Sequence, residues 1–382
     1  MATAELVVDS SAPSSQAPGK AKPYNRIKLI TGIASAVLSF VVLLTLVALG
    51  AAQSVATWSL AIAGDPYVAL LVFSFALGAI QTVFTLPLSY YSGFHVEHRY
   101  GLSNQTIGRW AWEKLKGLLV GLPILVAVLL LLYYCLRTYG EAWWLPVSIG
   151  LTLISVVLAR IAPVIILPLF YKLTPLTDSL LKDRILALCA TAGVVVEGIF
   201  TFDLSKNTKK ANAAFTGIGK SRRIILGDTL IKEFSEEEIE TVFAHELGHY
   251  KHRHILIGMR IGTVSTFAGL YLTAQLYQTS LAAFGFSAIT ELAALPLLAL
   301  WLSLFSLVTS PLGNMLSRRH ERQADAYAVK VTGKKSAFVS ALRKLATTNL
   351  ADPEPRALVE FLFYSHPSIA KRVKLVEALE GR

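Results

Sequence analysis

A chain of 382 residues in which 54% are hydrophobic and only 16% charged is too apolar for a soluble globule, where about a quarter of positions carry charge. The net charge of +11 could suit a nucleic-acid partner, but the cations are spread over many segments with no nucleic-acid motif. Membrane topology and attraction to anionic lipid account for the charge, and no nucleic-acid partner is expected.

Residues 1–26, rich in Ala, Ser and Pro, read as a disordered cytosolic tail. They lack the short basic start and prompt apolar core of a cleavable signal peptide. Residues 27–170 read as a membrane domain of four spans, at about 29–52, 67–91, 117–136 and 144–170, with a cytosolic loop at 93–116. Residues 171–254 form a cytosolic catalytic segment. It opens on a helix near 180–192 and continues through extended stretches at 194–204, 211–217 and 223–226, with Lys206-Asn207 and Gly219-Lys220 supplying the turns. These make a small antiparallel sheet, whose edge offers an extended peptide a place to add as a further strand. Two more spans, near 255–277 and 289–316, fill residues 255–316, and residues 317–382 are a C-terminal cytosolic catalytic segment. Pro163 and Pro168 in the fourth span, and Pro296 and Pro311 in the sixth, predict kinks or tilts. Cys135 and Cys189 imply no disulfide. No internal repeat suggests a paired-half transporter.

Orientation follows from the cations, because short cytoplasmic segments retain Lys and Arg. Of 36 such residues, only Arg137 falls in a segment assigned outside, and Arg160 and Arg260 fall within spans. Six alternating crossings therefore put both termini and the catalytic segments in the cytosol.

The strongest chemical signal is His245-Glu246-Leu247-Gly248-His249. On a helix, residues four apart share a face, so both imidazoles can reach one metal ion while Glu246 lies beside it as a general base. Ser235 and Glu238 read as a capping box that starts this helix about ten residues before His245. A four-coordinate catalytic zinc needs a third protein ligand. Glu321 and Asp325, one turn apart beyond the sixth span, are the best carboxylates for the task. Glu321 is assigned to the metal and Asp325 to holding a ligating histidine in its correct tautomer; the plainer alternative is that both pair with Arg318, Arg319 or Arg322. His252 and His254 suit a helix end at the membrane surface and are not taken as ligands. His366 differs, because Tyr364-Ser365-His366-Pro367 places it on a fixed turn before an amphipathic helix.

Ala211-Asn212-Ala213, His245-Glu246-x-x-His249, Ser317-Arg318-x-x-Glu321-x-x-Ala324-Asp325 and Ser365-His366-Pro367 to Arg372 together resemble the integral-membrane zinc peptidases typified by the type I CAAX prenyl protease. Glu97-x-Arg99-Tyr100-Gly101-Leu102 to Thr106, and Pro168-Leu169-Phe170 to Thr174-Pro175-Leu176, are further points of likeness, so the resemblance runs from Phe94 to the C-terminus. It implies one catalytic Zn2+ on His245, His249 and Glu321, with Glu246 as base and proton shuttle. It implies that His366 stabilises the oxyanion, that Arg372 supports the site, and that Asn212 and Ala213 bind substrate backbone from the sheet edge. It also implies spans enclosing an intramembrane chamber with the zinc near its cytosolic roof. Eukaryotic members carry seven spans and a longer insertion before the closing histidine motif. A shorter chain with six fits a bacterial relative in an inner membrane; in a eukaryotic host the expected site is the endoplasmic reticulum membrane.

The expected fold is therefore an all-α multi-pass membrane protein of about six transmembrane helices, with a cytosolic gluzincin-type catalytic domain carrying a small antiparallel β-sheet. The expected activity is zinc-dependent endoproteolysis at the cytosolic membrane face, on a peptide or protein substrate that is C-terminally prenylated in the CAAX reading. The alternative is a heat-shock-type quality-control protease acting on unprenylated membrane proteins. A site-2-type protease, with its motif inside a span, is excluded by Glu236, Glu237, Glu238, Glu240, Lys251 and Arg253 around the motif. A metal-binding transporter or scaffold leaves Glu246 without a role.

Overall fold

The computed structural model describes residues 17–216 and 223–379. In chain order the helices of the first half are α1 (Ala17–Ala48), α2 (Ala51–Ala63), α3 (Pro66–Tyr90), α4 (Val96–Arg99), α5 (Ile107–Tyr139), α6 (Trp144–Ile161) and α7 (Leu167–Phe170). Strand β1 (Leu173–Pro175), α8 (Ser179–Ala192), β2 (Gly198–Phe202), β3 (Ala213–Thr216), β4 (Arg223–Gly227) and α9 (Asp228–Glu233) lead to α10 (Glu236–Lys251). The chain closes with α11 (His254–Ser280), α12 (Leu295–Thr332), α13 (Lys335–Thr348), α14 (Ala357–Phe363) and α15 (Ile369–Ala378).

Among the described residues five helical stretches are long and apolar enough to cross a membrane, and the third, Ile107–Phe170, contains two of the expected spans. It breaks at Gly140, whose φ of 53° ends α5, and a 3₁₀ turn over Gly140–Trp143 starts the return. The Leu131 side chain packs on Gly150, about equally far from that turn on either side, so α5 and α6 form an antiparallel hairpin. The six expected spans thus fall on α1, α3, α5, α6, α11 and α12. The first ends before its expected limit: Gly50, in the left-handed region, turns the chain into α2, an apolar helix of 13 residues and too short to span.

The first helix also begins earlier than composition suggests. Residues 1–16 of the expected tail lie outside the described residues, but α1 starts at Ala17 and absorbs the rest. Tertiary contacts override the weak local signal. Tyr24 is buried and donates its hydroxyl to Glu97 (2.7 Å), and Asn25 donates to the Leu350 carbonyl (2.6 Å). Glu97 also pairs with Lys28 (3.1 Å) and Lys210 (3.0 Å), tying α1 and α4 to the approach to β3.

Of the four prolines expected to kink or tilt the spans, Pro163 alone lies in an irregular turn, while Pro168 stands at the start of α7. Pro163 lies in a π-turn over Ala162–Ile166, Pro296 occupies the first turn of α12, and Pro311 lies inside that helix. The helices pack into a core at one end, built from Phe73, Tyr133, Trp143, Tyr277, Leu297 and their neighbours. At the other end α8, the sheet, α10, the C-terminal part of α12, α13 and α15 share a second core that includes Ile185, Ile224, Phe243, Leu247 and Phe338. The apolar windows of α1, of Ile107–Phe170 and of α11 are each only 11% buried within the protein, against 39% for that of Leu292–Thr332.

The sheet order is β1-β2-β4-β3. The pairs β1–β2 and β3–β4 are antiparallel, but β2–β4 is parallel, so the sheet is mixed rather than antiparallel throughout. The reason is burial: Ile224, Ile225 and Leu226 make β4 the most buried strand, and it takes an inner position, leaving β3 at the edge. The turn expected at Gly219-Lys220 lies outside the described residues.

Candidate metal centre

Helix α10 starts as its sequence predicts. Ser235 accepts from the Glu238 amide (3.3 Å) and the Glu238 carboxylate accepts from the Ser235 amide (2.9 Å). Ile239, Phe243 and Leu247 then face the core, which leaves His245, Glu246 and His249 along the wall of a cavity of about 680 Å³. Glu321 reaches that wall from α12, because α10 and α12 meet almost backbone to backbone. A Cβ on Gly248 would lie 2.9 Å from Ala324 Cα, so the small residues Gly248 and Ala324 set this approach.

Ligand atoms of His245, His249 and Glu321 lie within 4.8 Å of one another. His245 Nε2 and His249 Nε2 are 3.2 Å apart, His249 Nε2 is 3.2 Å from Glu321 Oε1, and His245 Nε2 is 3.4 Å from Glu321 Oε2. The two Glu321 oxygens thus face one imidazole nitrogen each, at spacings close to the edge of about 3.3 Å expected for a tetrahedron with metal–ligand arms of ~2.05 Å. Glu321 Oε2 is moreover buried without a hydrogen bond. Three converging acceptors, one of them orphaned, are what a divalent cation satisfies.

Asp325, fully buried, accepts from His245 Nδ1 at 2.8 Å, which turns Nε2 and its lone pair toward the other two groups. Arg372 grips the same carboxylate in bidentate fashion, at 2.9 Å from Nε to Oδ2 and 2.6 Å from an amino nitrogen to Oδ1. Burial opposes the charge of Arg372, and Asp325 more than offsets it, so its pKa is raised. Burial likewise opposes a charged His245, yet the Asp325 and Glu321 carboxylates beside it raise its pKa to about 9. The pairing of Glu321 and Asp325 with Arg318, Arg319 or Arg322 does not occur. Arg318 instead donates to the carbonyls of Glu360 (2.9 Å) and Tyr364 (2.5 Å), fixing the turn that carries His366. His366 Nε2 lies 3.3 Å from Glu321 Oε1, and its side chain is 61% exposed, so it borders the centre while staying open to a ligand.

Asn212 and Ala213 line the same cavity at the sheet edge. The Asn212 carbonyl accepts from the Gly227 amide (2.9 Å), and strand alternation therefore points the backbone groups of Ala213 away from β4. Two residues earlier, on that same outward side, both backbone groups of Ala211 are taken by the Asn349 amide, at 2.9 and 3.2 Å. Asn349 thus occupies the edge next to the open position, a contact that no spacing in the sequence signals. His254 is the other residue the sequence reading misses: it is buried, and its Nδ1 lies 3.0 Å from His249 Nδ1. Its placement five residues after a ligand candidate, past a left-handed turn at Arg253, hides it from a helical-face argument.

Residues 175–380 match peptidase family M48, and residues 12–172 match the CAAX prenyl protease N-terminal family of five membrane helices. The chain is 31% identical over 365 residues to metalloprotease YhfN of Bacillus subtilis, an alignment covering 94% of this chain and 85% of that one. It is 33% identical over 328 residues to CAAX prenyl protease 1 of Saccharomyces cerevisiae, covering 80% and 72%. The fold is similar to the crystal structure of S. mikatae Ste24p, with a TM-score of 0.84 at 28% identity over 96% of this chain and 90% of that one.

Proposed function

Because the chain belongs to peptidase family M48 and is a membrane metallopeptidase of the CAAX prenyl protease type, we propose that it holds one zinc ion between His245, His249 and Glu321. The substrate in this reading is a peptide carrying a C-terminal CAAX sequence with a prenylated cysteine, cut at the cytosolic face. The observation that carries the reading is the convergence of two imidazole nitrogens and a buried carboxylate, all within 4.8 Å of one another.

Zinc, when bound, supplies a Lewis acid for the attacking water and the scissile carbonyl. Glu246, in the cavity wall directly after His245, takes the water proton on its carboxylate and passes it to the leaving amine. His366 donates from Nε2 to the oxygen on which charge develops. Arg372 holds Asp325, and through it the His245 ring, without touching the substrate. The substrate backbone pairs with the outward N–H and C=O of Ala213 as an added strand, with the exposed Asn212 side chain orienting it. Phe215, Val242, Phe338 and Leu342 give the cavity an apolar wall suited to the aliphatic residues of a CAAX sequence. The cation distribution supports cytosolic termini. The long alignment with a Bacillus subtilis relative favours a bacterial inner membrane over the endoplasmic reticulum of a eukaryotic host.

The test is cleavage of a farnesylated CAAX peptide and its unprenylated twin by purified protein, with Glu246→Gln and a chelator as controls. The expected result is prenyl-dependent cutting that the chelator abolishes and Glu246→Gln lowers by about 10²–10⁴-fold with zinc retained. Equal cutting of both peptides would replace the CAAX substrate with unprenylated membrane proteins, and a fully active Glu246→Gln would remove Glu246 as the base.

A further inference from the structure

The two imidazoles at the metal centre are held differently. His245 is oriented by the Asp325 carboxylate, whereas His249 Nδ1 faces another imidazole, that of His254, at 3.0 Å. His254 in turn places its Nε2 2.9 Å from Gln323 Oε1. The His254 ring is only 6% exposed, and the rings of His320 and His252 lie nearly parallel to it at 3.9 and 5.5 Å.

We propose that His254 and Gln323 are positioning residues that set the tautomer of His249, so that the orientation of one side-chain amide decides whether His249 presents a lone pair to the metal. The inference rests on the zinc role proposed above for His249. Its argument is a count of protons. A Gln323 oxygen facing His254 accepts, so His254 carries its proton on Nε2 and has a lone pair at Nδ1. That lone pair accepts the Nδ1 proton of His249, and His249 Nε2 is left free to bind a cation. With the amide reversed, Gln323 donates, His254 carries its proton on Nδ1, and His249 must accept there. Its remaining proton then lies on Nε2, and the nitrogen that faces His245 Nε2 and Glu321 cannot coordinate. The relay therefore works in one direction only, and it does so with neutral groups where the His245 side uses a charged carboxylate.

The experiment measures zinc affinity of the full-length protein in detergent by competition with a chelator, alongside thermal unfolding of the chelated forms. Gln323→Glu can only accept and should bind zinc within a few-fold of the parent. Gln323→Lys can only donate and should weaken binding by roughly 10–100-fold, the usual effect of losing a ligand's orienting partner. His254→Phe, which keeps a ring between its neighbours, should weaken it similarly. Gln323 is half-buried on α12, so its variants carry the test if His254→Phe does not fold. Equal zinc affinity of Gln323→Lys and the parent, in a background where His249→Ala loses zinc, would overturn the relay alone. Retention of zinc by His249→Ala would overturn the ligand assignment and the relay with it.

Discussion

Asp325 has two partners with opposite needs: it accepts from His245 Nδ1 and neutralises Arg372, and all three groups are buried. An Asn in its place keeps the shape but can turn an NH2 toward His245, favouring the wrong tautomer, and it leaves Arg372 as a buried cation without its bidentate partner. Asp325→Asn should therefore lower zinc affinity by roughly 10–100-fold and also destabilise the metal-free protein. Both effects are read by chelator competition and by thermal unfolding without zinc. A variant that unfolds early yet binds zinc like the parent would leave Asp325 with a structural role and no orienting one. The two imidazoles illustrate why a ligand motif is an incomplete description of a site. His245 and His249 are equivalent in the sequence pattern, but one is paired with a carboxylate from α12 and the other with an imidazole from the start of α11.

The critical contact between elements is that of α10 with α12, since each carries part of the centre. Its closeness depends on Gly248, where an added Cβ would meet Ala324 Cα at 2.9 Å and the Ala324 carbonyl oxygen at 3.1 Å. Backbone on a packed helix does not rotate away as a side chain can, so Gly248→Ala must push the helices apart. Overpacking of this kind costs about 1–3 kcal/mol, and the shift falls between His249 and Glu321, whose present separation is 3.2 Å. The expected outcome is a lower apparent Tm together with weaker zinc binding and reduced turnover. Unchanged zinc affinity in Gly248→Ala would mean that the ligands adapt to a wider helix spacing. The length of α12 gives this contact its reach. One helix of 38 residues continues from the far core to Glu321 and Asp325, so the carboxylates are attached to the membrane half without an intervening hinge.

On the scale of the whole molecule, the segments expected on the cytosolic side do share one end. The loop after α3 meets the approach to β3 through Glu97–Lys210 and a Ser103–Thr208 bridge, and α1 meets the segment after α13 through Asn25 and Leu350. The proposed ligands on α10 and α12 come from parts of the chain 72 or more residues apart along the sequence, so a zinc ion bound there would act as a cross-brace on this end. Binding to the native state alone adds about 2.7 kcal/mol when free zinc is 100 times Kd. Chelation should therefore lower the apparent Tm of the parent and of Glu246→Gln alike, and leave His249→Ala unchanged. Equal chelator-induced shifts in the parent and His249→Ala would place the stabilising metal elsewhere.

Local signals in the sequence determine much of this protein. Apolar run lengths give the long helices, the Ser235 and Glu238 pair gives the start of α10, and the spacing of His245 and His249 puts two imidazoles on one helical face. Each depends on residues within a few turns of one another, where geometry follows from backbone periodicity. Glu321 and Asp325 were legible as a third ligand and its histidine-orienting neighbour, but which histidine each meets required the fold. Nothing local distinguishes Gly248 as a contact residue, His254 as the neighbour of His249, Asn349 as the partner of Ala211, or β4 as an inner strand parallel to β2. The same holds for the helical start at Ala17, where a composition typical of disorder is outweighed by hydrogen bonds to Glu97 and Leu350. These features are decided by contacts between distant parts of the chain, whose energies depend on burial and on distances that no sequence window contains.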